Sequence, residues 1–173
     1  MMAADRIPVR DVARDPVLFL ATGFGSGLFP VAPGTAGTVV AVGLYAAAVT
    51  WLPAWAYLVA LILLIVGGFW LCEKAVQRLG VDDHPGIVWD EFAGYGITMI
   101  PVVVGLAPES PLAAAIVGFV AFRFFDVIKP WPVSAADRHV KGGAGVMLDD
   151  MMAAVYAAPV VAVVAVSGLL PAF

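Results

Sequence analysis

Long apolar runs broken by short polar segments make up most of this chain. A helix that crosses a bilayer needs roughly 20 predominantly apolar residues. The runs at residues 35–52, 55–71, 112–128 and 151–170 come close to that length, although Pro159 interrupts the last. A fifth run, residues 92–106, is shorter and carries Pro101, which predicts a half-span or a re-entrant helix. Only Pro53 and Ala54 separate the first two runs, so those helices must be antiparallel. Residues 17–24 are expected to lie on or partly in the membrane surface. The pattern predicts an all-α fold, a polytopic membrane bundle of about four to five transmembrane or half-spanning helices.

Composition supports the same class. The chain is 62% hydrophobic and 13% charged, against about 45–50% and about 25% in soluble domains. No linker or repeat divides residues 1–173, which read as a single membrane-embedded domain. Residues 1–16 mix acids, bases and two prolines, with no apolar core and cleavage site directly after them. The first helix is therefore expected to be its own insertion signal. A net charge of −4 does not suggest nucleic-acid binding, which goes with a basic patch. The single cysteine, Cys72, excludes an intramolecular disulfide and a cysteine-based zinc site, and packing is its expected role.

Charge then sets the orientation. Under a five-span arrangement all nine Lys and Arg residues fall on one face, and Glu109 is the one acid on the other. Positive charge marks the cytoplasmic side, so residues 1–16 and both charged stretches are expected there.

Those stretches hold the candidate chemistry. One reads HPGIVWDE and the other RFFDVIKPWPVSAADRHVKGGAGVMLDD. Carboxylates beside lipid are costly and need a reason. Asp90-Glu91 and Asp149-Asp150 are both expected just before apolar helices, where acids cap free N–H groups for about 0.3–1 kcal/mol each. Arg123, Asp126 and Lys129, spaced i, i+3, i+6, can pair along one helix face. Two features go beyond this reading. Asp126 sits near a helix C-terminus, where the dipole disfavours an anion. Each helix start also carries two acids, and adjacent positions diverge by about 100°, so one can cap while the other faces the bundle. Converging carboxylates without cysteine and with few histidines suit Mg²⁺ or Ca²⁺. Lys129, Arg138 and Lys141 suit phosphate oxygens. Gly142, Gly143 and Gly145 allow close backbone approach to an anion, or simply form a flexible loop. The run GFGSGLFPVAPGTAGT is no P-loop, since no GK[ST] follows. It reads as a helix-packing segment or a phosphate contact, with Thr35 and Thr38 as its polar groups. His84, before Pro85-Gly86, is either an acid–base group or a loop residue.

The motifs GFGSGLFPVAPGT, DDHPGIVWDE, FRFFDVIKPWP and DRHVKGGAGVMLDD, in that order from Gly23 to Asp150, closely resemble the bacterial phosphatidylglycerophosphatase A family. The resemblance implies a Mg²⁺-dependent lipid phosphatase of the bacterial inner membrane with a cytoplasmic site. Its phospholipid substrate is phosphatidylglycerophosphate, and its products are phosphatidylglycerol and inorganic phosphate. It carries over Asp90, Glu91, Asp126, Lys129, Asp137, Arg138, Asp149 and Asp150. In that scheme a subset of Asp90, Glu91, Asp126, Asp149 and Asp150 supplies the ligands of one or two metal ions. Lys129 and Arg138 face the substrate phosphate, and Lys141 and Thr35, from the reading of the residues alone, are further candidate contacts to it. Asp137 is a base or orients Arg138, and direct attack by water is favoured, with attack by an aspartate the alternative. Homo-oligomerisation is left open.

Two rivals fit less well. A CDP-alcohol phosphotransferase also uses aspartates and Mg²⁺ at a membrane face. Its pattern needs Asp-Gly before Ala-Arg and later aspartates at regular fourth positions, whereas Asp149 and Asp150 are adjacent. A cation channel needs carboxylates deep in the spans and a route to both faces, and here the charge is one-sided.

Overall fold

The computed structural model describes residues 6–106, 108 and 110–167. Among them all regular structure is helical. Two short helices, α1 (Val9–Arg14) and α2 (Pro16–Ala21), lead through a 3-10 turn (Ser26–Leu28) into α3 (Pro33–Trp51) and α4 (Ala54–Leu79). Then follow α5 (Trp89–Thr98), α6 (Ile100–Val103), α7 (Pro111–Ile128), α8 (Val133–His139) and α9 (Gly142–Val166). Four of these, α3, α4, α7 and α9, are long and apolar enough to cross a membrane.

The expected run at 92–106 is a broken element, with α5 ending at Thr98 and α6 starting at Ile100. Proline at the start of α6 has no N–H to continue the ladder, which explains the break beside it. The two pieces still follow the bundle from end to end. Glu91 pairs with Arg123 near the C-terminus of α7, while Val102 packs on Ala113 near its N-terminus. The second span runs about two turns past its expected end, to Leu79, and so includes Glu73, Lys74 and Arg78. The largest correction concerns α9. It begins at Gly142 rather than near Met151, so Asp149 and Asp150 lie two turns inside the helix. They are not caps. The expected glycine loop is the first turn of this helix. Glu109 and residues 168–170 lie outside the described residues.

Helix α9 is the central element. Ala153, Ala154 and Ala157 are fully buried and let α5 and α7 approach it closely, with Phe122, Tyr95 and Met99 completing the core. Tyr45 meets Tyr57 and Tyr95 edge-on, with ring centroids 6.2 and 5.8 Å apart. The outward faces are apolar too. Val59, Ile62, Leu63 and Val66 on α4, and Ile116, Val120 and Phe124 on α7, are exposed, as a lipid environment requires. Trp51 and Trp55 stand at one end of the bundle, 82% and 70% exposed, and Trp131 at the other, 77% exposed. That is the position of aromatic belts. Within residues 17–24, α2 packs Val17, Leu18 and Ala21 inward, while Phe19 and Leu20 face out. Cys72 is fully buried, a packing residue as expected.

Candidate metal and phosphate site

The acids of the two charged stretches meet at one end of the bundle. Near the C-terminus of α7, Asp126 faces Asp149 and Asp150 on α9, and one carboxylate oxygen from each lies within 4.8 Å of the others. The geometry follows from helix register: Asp149 and Asp150 are adjacent on α9, and α7 packs along it. Asp150 Oδ2 is buried without a hydrogen-bond partner, as is Asp90 Oδ1 at the start of α5. Orphaned carboxylate oxygens are costly in a protein interior. Three converging aspartates, all oxygen donors, fit a hard divalent cation such as Mg²⁺.

Two cations organise the acids. Arg123 ion-pairs with Glu91, and its Nη1 also lies 2.7 Å from Asp126 Oδ2. The second Glu91 oxygen, Oε2, accepts a 2.6 Å hydrogen bond from the Thr38 hydroxyl of α3. Lys129 ends α7 in the left-handed conformation, at φ 46°, and donates to Asp137 at 2.6 Å and to Asp149 at 2.5 Å. The expected i, i+3 pairing along α7 therefore holds for Arg123–Asp126, while Lys129 turns away to α8 and α9. Partial burial pulls the Lys129 ammonium down, but its bonds to Asp137 and Asp149 outweigh that and hold it above the ordinary lysine range.

The remaining candidates lie around this cluster. Arg138 is exposed on α8 and donates to the Ser134 carbonyl at 2.9 Å, within its own helix. Lys141 lies 3.3 Å from the Asp137 carbonyl and lines a polar cavity of about 140 Å³ with Asp82, Asp83, Asp137 and Asp149. At about 30 Å³ per water, that cavity has room for several waters or a phosphate group. Thr35 is not brought to the acids. Gly34 and Thr38 face Glu91, and Thr35 sits about 100° round the helix from Gly34, lining an apolar groove with Ser26, Phe29 and Val39. His84 accepts the Gly86 N–H at 3.0 Å, a turn contact.

Sequence reasoning missed two participants. Arg123 was read only as a partner along its own helix, and nothing local signals its contact with Glu91, 32 residues away. Glu73 accepts the Gly143 N–H at 2.9 Å and so caps α9 from 70 residues away. A lone acid at the polar end of an apolar run was the only hint.

The family model described as Phosphatidylglycerophosphatase A matches residues 19–165. The phosphatidylglycerophosphatase A of Escherichia coli (strain K12) is 41% identical over 155 residues, covering 86% of this chain and 87% of the relative. That of Haemophilus influenzae is 38% identical over 147 residues, covering 85% and 87%. A putative phosphatidylinositol-3-phosphatase of Bacteroides thetaiotaomicron is 36% identical over 154 residues, covering 86% and 92%. No solved structure matches the chain. With the match spanning nearly all of the bundle and all of its acid cluster, the chain belongs to the phosphatidylglycerophosphatase A family.

Proposed function

We propose that this protein removes the terminal phosphate of phosphatidylglycerophosphate, giving phosphatidylglycerol and inorganic phosphate. The observation that carries the reading is the convergence of Asp126, Asp149 and Asp150, with an unpartnered buried oxygen, between a polar cavity and a lipid-facing helix surface. Phe124, Val127 and Ile128 are exposed on α7 beside Lys129. Acyl chains can rest there while the head group reaches the acids.

Asp126, Asp149 and Asp150 would hold Mg²⁺, with Asp90 behind them. A cation bound there supplies Lewis-acid neutralisation of the phosphate charge and water of lowered pKa. Lys129 directs its ammonium to the equatorial oxygens as negative charge builds, and Arg138 and Lys141 gather the phosphate from the cavity rim. Asp137, 36% exposed and hydrogen-bonded to Lys129, is the base that takes the proton of the attacking water. Water adds to phosphorus in line, the bond from phosphorus to the glycerol oxygen breaks, and that oxygen takes a proton from solvent water as it leaves, while Asp137 returns the proton it accepted to solvent. The site belongs on the cytoplasmic face of the inner membrane. All nine Lys and Arg residues, located on helices or loops at the acid-bearing end, support that orientation.

The test is phosphate release from phosphatidylglycerophosphate in mixed micelles, with phosphatidylinositol 3-phosphate as comparator. EDTA should stop turnover. Asp126→Asn and Asp149→Asn should each abolish it while the protein still elutes as one symmetric peak in detergent. Full turnover in EDTA removes the metal from the scheme, and preference for the inositol lipid removes the substrate.

A further inference from the structure

We propose that Glu91 is a positioning residue rather than a metal ligand: with Thr38 and Arg123 it forms a lock across α3, α5 and α7 that sets the Asp126 carboxylate in the acid cluster. The inference rests on reading that cluster as a cation-dependent phosphatase site. Both Glu91 oxygens are already engaged, Oε2 by the Thr38 hydroxyl at 2.6 Å and Oε1 by Arg123. The carboxylate is 6% exposed, and the oxygens that converge belong to Asp126, Asp149 and Asp150.

Gly34 shows how tightly the lock is enclosed. A Cβ there would overlap Glu91 Oε1 and come within 3.2 Å of the Arg123 guanidinium, so the α3 backbone lies directly on the ion pair. The Thr38 hydroxyl, which donates to Glu91, is itself 3.0 Å from the Gly34 carbonyl. Arg123 divides Nη1 between Glu91 and Asp126. Without Glu91 the guanidinium is free to close on Asp126 alone, in the two-pronged geometry carboxylates favour. It would then compete for the oxygens that a cation needs. Glu91 therefore holds the arginine partly off Asp126, and Thr38 holds Glu91.

Thr38 is fully buried, its hydroxyl engaged with Glu91 and the Gly34 carbonyl rather than with the converging aspartates, which makes it the discriminating position. The experiment measures Mn²⁺ binding by electron paramagnetic resonance on the full-length protein in detergent, so turnover is not needed. Thr38→Val and Glu91→Gln should each weaken binding by about 10- to 100-fold. Their double variant should be no weaker than Glu91→Gln alone, because the two act in one chain. Thr38→Ser, which keeps the hydroxyl, should restore binding, and Asp149→Asn should remove it. The inference is overturned if Glu91→Gln falls with Asp149→Asn while Thr38→Val binds like wild type. Unchanged binding in Glu91→Gln, or a wild type that binds no Mn²⁺, overturns it as well. If wild type binds Mn²⁺ but releases no phosphate from the lipid, the proposed activity fails and the lock is still decided by the binding series.

Discussion

Lys129 and Arg138 are both cations beside the acid cluster, yet their surroundings assign them different work. Lys129 is the C-cap of α7, where the helix dipole favours a positive charge, and it bridges Asp137 to Asp149. Its donors are fixed before substrate arrives, so Lys129→Met should lower kcat by about 10²-fold. Lys129→Arg keeps the charge but not the compact geometry, and should recover only part of that loss. Among the described residues Arg138 is bonded only within its own helix, so Arg138→Ala should raise KM several-fold and leave kcat nearly intact. Initial-rate measurements on the micellar lipid separate the two patterns.

At the scale of the element, α9 depends on how its first turn is seated. Glu73 accepts from the Gly143 N–H and in turn receives a hydrogen bond from Gln77. A Cβ on Gly143 would overlap the backbone of Cys72 and Glu73, so only glycine fits where α9 meets α4. Glu73→Ala should cost about 1 kcal/mol through the lost cap. Gly143→Val should cost more, because α9 must move away from α4. Thermal unfolding in detergent checks both, and a Gly143→Val protein as stable as Glu73→Ala would contradict the close seating. The start of α9 was illegible in the sequence for the same reason: Gly-Gly-Ala-Gly is a poor helix former, and a contact 70 residues away overrides that propensity. The spans themselves were legible, because apolar length alone specifies them. Asp126 stood out by its place against the helix dipole. Its coupling to Glu91 through Arg123 did not, since pairing across three helices leaves no local pattern.

The whole molecule has two chemically distinct ends, one with the acid cluster and the basic residues, the other with the apolar hairpin around Pro53. Cys72 is buried and is the chain's only cysteine, so introduced thiols can report which end faces the cytoplasm. In intact cells Ala54→Cys should react with a membrane-impermeant maleimide, whereas His139→Cys should react only after permeabilisation. The reverse pattern would invert the proposed orientation. The outward faces of α4 and α7 also bear on how such a chain diverges. Val59, Ile62, Leu63, Ile116 and Val120 are exposed on these faces, and to acyl chains one branched aliphatic side chain is much like another. Mutations among them are nearly invisible to selection, whereas Gly34 and Gly143 accept nothing larger than hydrogen. Lineages of this protein should therefore drift freely across the lipid-facing skin while the seams between helices stay fixed, so that overall identity understates how closely two descendants share a site.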